Sequence, residues 1–190
     1  MEEAPMLIFI TGGVRSGKSS FAEVTAITLA DQINGSLHYI ATGVPADSEM
    51  KERALRHQKD RAKSGVAWKT WEEPLDIGRL GSSFSSKDVI LLDCVTTLLN
   101  NYFFEYEEQL NNARTEKIKN RILTDIMQMK NTCHALIVVS NEILNEPLQS
   151  EYVFIYKRLL GELHQQIVHE AKEAYIVEAG VPILMKGDLG

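Results

Sequence analysis

Short apolar runs alternate along the chain with segments whose apolar residues recur every three or four positions. Each run is nearly continuous, which is typical of parallel strands that are covered by helices on both faces. The runs that predict strands are Leu7–Thr11, Leu37–Ala41, Val89–Leu92, Ala135–Val139, Tyr175–Val177 and Pro182–Met185.

The segments between these runs predict helices, because their apolar residues form stripes at helical spacing. The alternation of strands and helices predicts an α/β fold with helices on both faces of a mostly parallel sheet. The serine- and glycine-rich segment Leu80–Lys87 predicts a surface loop, and Trp68 and Trp71 are expected to pack in a short strand or loop. The stripes are Phe21, Val24 and Ile27; Ile118, Ile122, Ile126 and Met129; and Val153, Tyr156, Leu160, Leu163, Ile167 and Ala171.

A glycine-rich loop follows the first predicted strand, where that strand passes into the first predicted helix. Its pattern, G-x-x-x-x-G-K-[ST], is that of a phosphate-binding loop, whose backbone N–H groups surround phosphate oxygens. Lys18 would contact the β- and γ-phosphates, and the Ser19 hydroxyl would hold Mg²⁺. A chance glycine- and serine-rich turn is disfavoured by the strand and helix on either side. The loop consists of Gly12, Gly13, Val14, Arg15, Ser16, Gly17, Lys18 and Ser19.

An acidic residue, Asp93, follows the third predicted strand directly. A carboxylate in this position matches the Walker B pattern, in which it binds Mg²⁺ directly or through water. The pattern is weak alone and gains weight from Lys18 and Ser19. Thr96 and Thr97 come next and would either contact the nucleotide or cap a helix.

A second candidate for chemistry lies between residues 49 and 61, where Glu49, Arg53, His57 and Arg61 recur every four residues. On a helix they would share one face. One interpretation is a solvated face with ion pairs. The other is phosphate chemistry, in which the arginines hold a triphosphate and neutral His57 attacks phosphorus.

The remaining histidines and the two cysteines predict structural roles. His38 falls in a predicted strand and is expected to pack, whereas His164 and His169 are expected at the surface or an interface. Cys94 and Cys133 adjoin apolar segments, which predicts buried, reduced thiols.

Length and charge narrow the class of protein. A chain of 190 residues that is 44% hydrophobic suits a single domain over residues 1–190. The formal net charge of −6 argues against bulk nucleic-acid or anionic-membrane binding. The acidic N-terminus and the short apolar runs predict neither a signal peptide nor a membrane span, so we expect a cytoplasmic protein.

Taken together, these motifs resemble the bifunctional adenosylcobinamide kinase/adenosylcobinamide-phosphate guanylyltransferase family of cobalamin biosynthesis. The resemblance spans most of the chain up to Glu142 and is looser from Tyr152 to Gly190, where Glu178–Pro182 is similar to the family's closing turn. The matching positions are the phosphate loop through Glu23, Tyr39–Thr42, Glu49 and Met50 with Arg53, His57 and Arg61, Trp68–Thr70, Leu91–Thr97 with Asn100, and Ser140–Glu142.

The resemblance implies a RecA-like P-loop fold, a homotrimer and two reactions. A nucleoside triphosphate, ATP or GTP, would phosphorylate the aminopropanol hydroxyl of adenosylcobinamide. GTP would then donate GMP to the phosphorylated corrinoid through a guanylylated histidine, which falls on His57, while Mg²⁺ and Lys18 stabilise the departing pyrophosphate. We assign Thr42 and Glu72 to the nucleotide site together with Arg53, Arg61 and Asp93.

The segment Ile143–Pro147 departs from the family pattern, because it lacks the glycine-containing turn that usually follows Asn141-Glu142. Asp93 stands where many members carry glutamate. Two alternative functions therefore stay open at this point: another small P-loop kinase, and a GTP-binding regulatory protein without transfer activity.

Overall fold

One sheet of seven strands organises the part of the chain that the computed structural model describes, which is residues 4–43, 65–106, 111–142 and 151–188. The strands are β1 (Met6–Gly12), β2 (Ser36–Ala41), β3 (Trp68–Glu72), β4 (Asp88–Asp93), β5 (Ala135–Asn141), β6 (Glu173–Glu178) and β7 (Val181–Lys186). The α-helices are α1 (Lys18–Ile33), α2 (Val95–Glu105), α3 (Asn112–Thr132) and α4 (Glu151–Glu170), and a 3-10 helix covers Ile77–Ser83. Every predicted strand is confirmed.

The strand order is β3-β2-β4-β5-β1-β6-β7, and all neighbouring pairs are parallel except β6 and β7. The strand β1, which leads into the phosphate loop, therefore lies between β5 and β6. Because the carboxyl ends of parallel strands lie along the same side of the sheet, the loops after β1, β4 and β5 meet along that side. Ligands of open α/β sheets bind on this side.

Helices cover both faces of the sheet, as predicted, and two apolar cores result. One core places residues of α2, α3 and α4 against Leu7 and Phe9, and the other places α1 against Ile8 and Ile10. The side chains of β1 thus alternate between the two cores, since successive residues of a strand point to opposite faces. The fold class is confirmed as α/β.

The apolar stripe predicted for α1 is wrong at Val24, whereas Phe21 and Ile27 are partly buried and pack against the core. The buried apolar residues of this helix are Ala22, Ala26 and Ala30, whereas Val24 is 61% exposed. Small side chains at four-residue spacing let the helix axis lie close to the sheet, so the larger residues are displaced to the sides. The stripe of α3 is confirmed throughout, and that of α4 is buried from Leu160 onward.

The strand β7 also departs from the expectation of two covered faces. It pairs antiparallel with β6 at the edge of the sheet, and Val181, Ile183 and Met185 are 59%, 44% and 67% exposed. An edge strand that carries exposed apolar residues is a surface for association with another chain.

The predicted loop Leu80–Lys87 begins inside the 3-10 helix, so that prediction is wrong for its first half. The buried carboxylate of Asp125 accepts a hydrogen bond from the backbone N–H of Gly78, and burial raises the pKa of Asp125. Arg121 Nε also contacts this carboxylate at 3.2 Å. The helix is thus fixed by a residue on α3, which local sequence does not reveal.

Candidate functional site

The loop between β1 and α1 has the backbone conformation of an anion-binding site. Arg15 and Gly17 adopt left-handed conformations, with φ of 59° and 93°, and Gly17 directly precedes the first residue of α1. Successive N–H groups in such turns form a concavity that binds anions, and a helix N-terminus adds partial positive charge. The first turn of α1 contains no acidic residue that would compete with a bound anion.

Lys18 is held at this loop rather than extended into solvent. The residue is only 7% exposed, and its Nζ donates a hydrogen bond to the carbonyl oxygen of Gly13 at 3.0 Å. Within the described residues, the buried hydroxyl of Ser16 has no hydrogen-bond partner. Buried polar groups are rarely unpaired, so an oxygen-rich ligand in the loop would complete this site.

Asp93 is the last residue of β4, and only β5 separates that strand from β1. The Tyr39 hydroxyl donates a hydrogen bond to Asp93 Oδ2 at 2.6 Å. Hydrogen bonds to an ionised acceptor are short and strong, so this contact fixes the orientation of the carboxylate.

The thiol of Cys94 lies close enough to both Lys18 and Asp93 to be affected by their charges. Burial raises the pKa of Cys94, the Asp93 carboxylate raises it further, and the Lys18 ammonium opposes both effects. The charges of Lys18 and Asp93 therefore both reach the same buried thiol. The thiol itself is free and neutral, and burial likewise raises the pKa of Cys133 to about 12, so both cysteines are the buried, reduced thiols that we expected.

The donor set of this site suits a magnesium ion. Ser19 is the second residue of α1 and offers a hydroxyl oxygen, and Asp93 offers a carboxylate oxygen. The described residues contain no group of three or more acidic, histidine or cysteine side chains that could enclose a metal. Magnesium characteristically takes one or two protein oxygens and completes its shell with phosphate and water.

Thr42 is buried beneath the surface of the site, where it contacts the peptide that follows Asp93. The residue is fully buried, and its hydroxyl donates to the Cys94 carbonyl oxygen while accepting from the Cys94 N–H, both at 2.9 Å. The contact joins the end of β2 to the end of β4. Thr42 therefore positions the segment that carries Asp93.

Glu72 ends β3 at the same edge of the sheet and is exposed to solvent. Its register partner is Ala41, whose other register partner is Asp93, so Glu72 lies two strands from the Asp93 carboxylate. Val14 and Arg15 are exposed at the tip of the phosphate loop, and Val14 is 66% exposed.

His164 was expected at the surface or an interface, and the structure shows it partly buried inside the fold. Its ring lies 5.1 Å from that of Phe9, and Nε2 is hydrogen-bonded to the hydroxyl of the fully buried Ser140 at 2.7 Å. Burial lowers the pKa of His164 to about 4, so the ring is neutral. The sequence carried a signal, since position 164 falls on the apolar stripe of α4.

The hydrogen bonds of Ser140 continue to the end of β5, which lies beside the phosphate loop. The Thr96 hydroxyl is 2.9 Å from that of Ser140 and accepts a hydrogen bond from the Asn141 N–H at 2.8 Å. The N–H of Glu142 donates to the carbonyl oxygen of Gly12 at 3.0 Å. Sequence reasoning left the choice for Thr96 open, and in the described structure its hydroxyl contacts β5.

His38 packs in the core, as expected, between Trp71 and Asp88. Trp71 Nε1 donates to His38 Nδ1 at 3.1 Å, and His38 Nε2 lies 3.3 Å from Asp88 Oδ1. The side chain of His169 is 80% exposed, as expected for a surface residue.

The second half of the predicted site lies outside the described residues. This applies to Glu49, Arg53, His57 and Arg61, and to the divergent segment Ile143–Pro147. Their assignments stay predictions.

Comparisons with known proteins give the family and a set of full-length relatives. The sequence model of the family described as "Cobinamide kinase / cobinamide phosphate guanyltransferase" matches residues 8–185. The chain is 32% identical to the Bifunctional adenosylcobalamin biosynthesis protein CobP of Pseudomonas aeruginosa, over 94% of this chain and 96% of that protein. It is 29% identical to the Bifunctional adenosylcobalamin biosynthesis protein CobU of Escherichia coli, over 95% of this chain and 100% of that protein.

A solved structure with a similar fold is the flagellar accessory protein FlaH from Methanocaldococcus jannaschii. The TM-score is 0.50 at 14% sequence identity, and the match covers 98% of this chain and 80% of FlaH. At this identity the likeness concerns the fold alone. Among the described helices, none has the length and apolar character needed to cross a membrane.

Proposed function

The chain belongs to the cobinamide kinase / cobinamide phosphate guanyltransferase family, and on that premise we propose how its residues carry out two transfers. The protein is a nucleotide-dependent transferase of cobalamin biosynthesis. It phosphorylates adenosylcobinamide and transfers GMP from GTP to adenosylcobinamide phosphate. Membership of this family disfavours both alternatives, another small P-loop kinase and a GTP-binding regulatory protein.

The observation that carries the proposal is the convergence of Lys18 and Asp93 beside the phosphate loop. Lys18 is fixed at the loop by Gly13, and both charges reach Cys94. We assign Lys18 to the phosphates of the bound triphosphate, where its ammonium offsets the negative charge that develops on the leaving phosphate. Placing this charge in advance lowers the barrier, because no reorganisation is needed during the reaction.

In the kinase reaction, the aminopropanol hydroxyl of adenosylcobinamide would attack the γ-phosphorus. The bond from the γ-phosphorus to the bridging oxygen breaks, the hydroxyl loses its proton, and a nucleoside diphosphate leaves. The loop N–H groups and Lys18 hold the triphosphate for this attack.

In the guanylyl transfer, we assign the nucleophile to His57. A ring nitrogen would attack the α-phosphorus of GTP, pyrophosphate would leave, and GMP would stay on the histidine. A phosphate oxygen of adenosylcobinamide phosphate would then attack the phosphorus of the bound GMP, so that the phosphorus–nitrogen bond breaks, the ring is freed and GMP passes to the corrinoid phosphate. Arg53 and Arg61 would hold the phosphate groups during both steps.

We also propose that Ser19 and Asp93 hold Mg²⁺. The support is their oxygen donors, together with the fixed orientation of the Asp93 carboxylate by Tyr39. When bound, Mg²⁺ supplies charge that stabilises phosphate oxygens in the transition state. Thr42 supports the same carboxylate by holding the following peptide.

Finally, we propose a homotrimer. The support from the described residues is the edge strand β7, whose exposed apolar residues Val181, Ile183 and Met185 give a second copy a surface to cover.

The experiment that tests the phosphate-loop assignment is Lys18→Ala, assayed for both transfers. We expect kcat/KM to fall by about 10²-fold or more in each, because a positioned charge is lost from the transition state. The matched control is Lys87→Ala, since Lys87 is exposed before β4, at the edge of the sheet opposite Asp93. Turnover at the wild-type rate in Lys18→Ala would refute the assignment.

A further inference from the structure

The hairpin formed by β6 and β7 contacts the phosphate loop directly. Its two-residue turn, Ala179 and Gly180, adopts left-handed conformations at φ of 50° and 82°. Such turns match the twist of the strands that they join. The N–H of Gly180 donates a hydrogen bond to the carbonyl oxygen of Ser16, inside the phosphate loop, at 2.8 Å.

Two further approaches bring the hairpin and the loop together at the level of the backbone. A Cβ atom on Gly17 would lie 3.1 Å from Gly180 Cα, which leaves almost no space for a side chain there. A Cβ atom on Gly12 would overlap the carbonyl oxygen of Val177 in β6. The hairpin therefore contacts the loop near its beginning and near its end.

The hydrogen bond from Gly180 has a consequence for the neighbouring amide. In a trans peptide, the carbonyl of one residue and the N–H of the next point in opposite directions. Because Gly180 holds the Ser16 carbonyl toward the hairpin, the N–H of Gly17 is directed to the other side of the loop. Gly17 directly precedes Lys18, so the same peptide also sets the start of α1.

We propose that Gly180 is a positioning residue for phosphate binding. Its N–H fixes the Ser16–Gly17 peptide so that the Gly17 N–H points at the bound anion before the ligand arrives. Preorganised donors bind more tightly, since the ordering cost is met during folding. The inference rests on the proposed function for the chemistry of the ligand, a triphosphate.

The chain offers a matched control in the same hairpin. Gly187 follows β7 at φ of 135°, and a Cβ atom there would lie 3.1 Å from Glu173 Cγ. A substitution at Gly187 therefore strains the far end of the hairpin, whereas one at Gly180 strains the end at the phosphate loop. A Cβ atom on Gly180 would meet open space, so side chains that tolerate a positive φ fit at this position.

The experiment compares Gly180→Val, Gly180→Asn and Gly187→Val in the full chain, by calorimetric titration with inorganic tripolyphosphate. Valine rarely adopts a positive φ and would displace the turn, whereas asparagine tolerates this conformation and keeps the N–H. We expect Gly180→Val to bind about tenfold more weakly or worse, and Gly180→Asn to bind within about threefold of the wild type. Gly187→Val should bind as the wild type does, even where its Tm falls as much as that of Gly180→Val.

A second readout needs no ligand. The amide resonance of Gly17 in the ligand-free protein should shift in Gly180→Val and stay in place in Gly187→Val. If Gly180→Val does not fold, Gly180→Ala takes its place in both measurements, because its methyl group meets open space while its Cβ still disfavours a φ of 82°.

The outcomes separate the inference from the proposed function. Equal tripolyphosphate binding by the wild type and Gly180→Val, with the Gly17 amide unmoved, would overturn the positioning role and leave the proposed function intact. A wild type that binds no tripolyphosphate would instead count against the proposed function. The Gly17 amide would then decide the positioning role alone, since an unmoved resonance in Gly180→Val overturns it.

Discussion

Among the described residues, Lys18 donates a hydrogen bond to the carbonyl oxygen of Gly13, and Asp93 accepts one from the hydroxyl of Tyr39. The sequence motifs predict the two charged residues, because Lys18 belongs to the phosphate-loop pattern and Asp93 follows an apolar strand as in the Walker B pattern. They do not predict the partners. Tyr39 reaches Asp93 only because β2 and β4 are neighbours in the sheet, which is a property of the fold.

The burial of His164 makes a residue-scale prediction about acid stability. The folded protein keeps the ring neutral down to a pKa of about 4, whereas the unfolded chain takes up the proton near pH ~6.5. As the pH falls between these values, the unfolded state binds more protons, so the free energy of unfolding decreases by up to about 3 kcal/mol from this residue.

We expect His164→Gln to remove this contribution, so that its free energy of unfolding declines less between pH ~6.5 and pH ~4 than that of the wild type. Urea unfolding at a series of pH values measures the difference. The control is His169→Gln, because the His169 side chain is 80% exposed. Parallel declines in the wild type and His164→Gln would contradict the assignment.

At the scale of elements, the strands could be predicted and the contact face of α1 could not. The runs of the inner strands are apolar on both sides, so their burial follows from composition alone, whereas β7 lies at the edge of the sheet and is exposed. For α1, the choice between the stripe of larger residues and the stripe of alanines depends on how closely the helix approaches the sheet. The 3-10 helix was missed for a similar reason, since Asp125 of α3 holds it.

The close packing of α1 predicts that added volume on its alanine face is harmful. Ala26 is fully buried, so Ala26→Leu should lower the free energy of unfolding by about 1–3 kcal/mol through overpacking. Val24→Leu introduces the same residue at a position that is 61% exposed, and its effect should stay within about 0.5 kcal/mol. Urea unfolding of both variants tests this, and a tolerated Ala26→Leu would show that the face is loosely packed.

At the scale of the whole molecule, the edge strand β7 predicts how copies associate. We expect the wild type to sediment with three times the mass of one chain. Ile183→Glu should shift it to smaller species, because a carboxylate would be buried against the partner. The control is Val24→Glu, since Val24 has an exposure of 61% like the residues of β7 but belongs to α1. A wild-type monomer with full activity would contradict the trimer.

The family could be predicted from the sequence because local motifs encode it, and the same motifs carry the prediction of the phosphate-binding half of the site. The buried contacts of Thr42 and Ser140 could not be predicted, since they join strands and helices that are distant along the chain. The contact of Gly180 with the phosphate loop has the same origin. What the whole molecule adds is the set of neighbours that hold the motif residues in place.

The central claim is that the phosphate loop supplies GTP to His57 for guanylylation. Incubation with GTP labelled at the α-phosphorus, followed by measurement of protein-bound label, tests it most directly. We expect acid-labile, alkali-stable label on the wild type and on His169→Ala, and none on His57→Ala, because a phosphorus–nitrogen bond to His57 carries the label. Full labelling of His57→Ala, or a wild type that binds GTP without labelling, would contradict the claim.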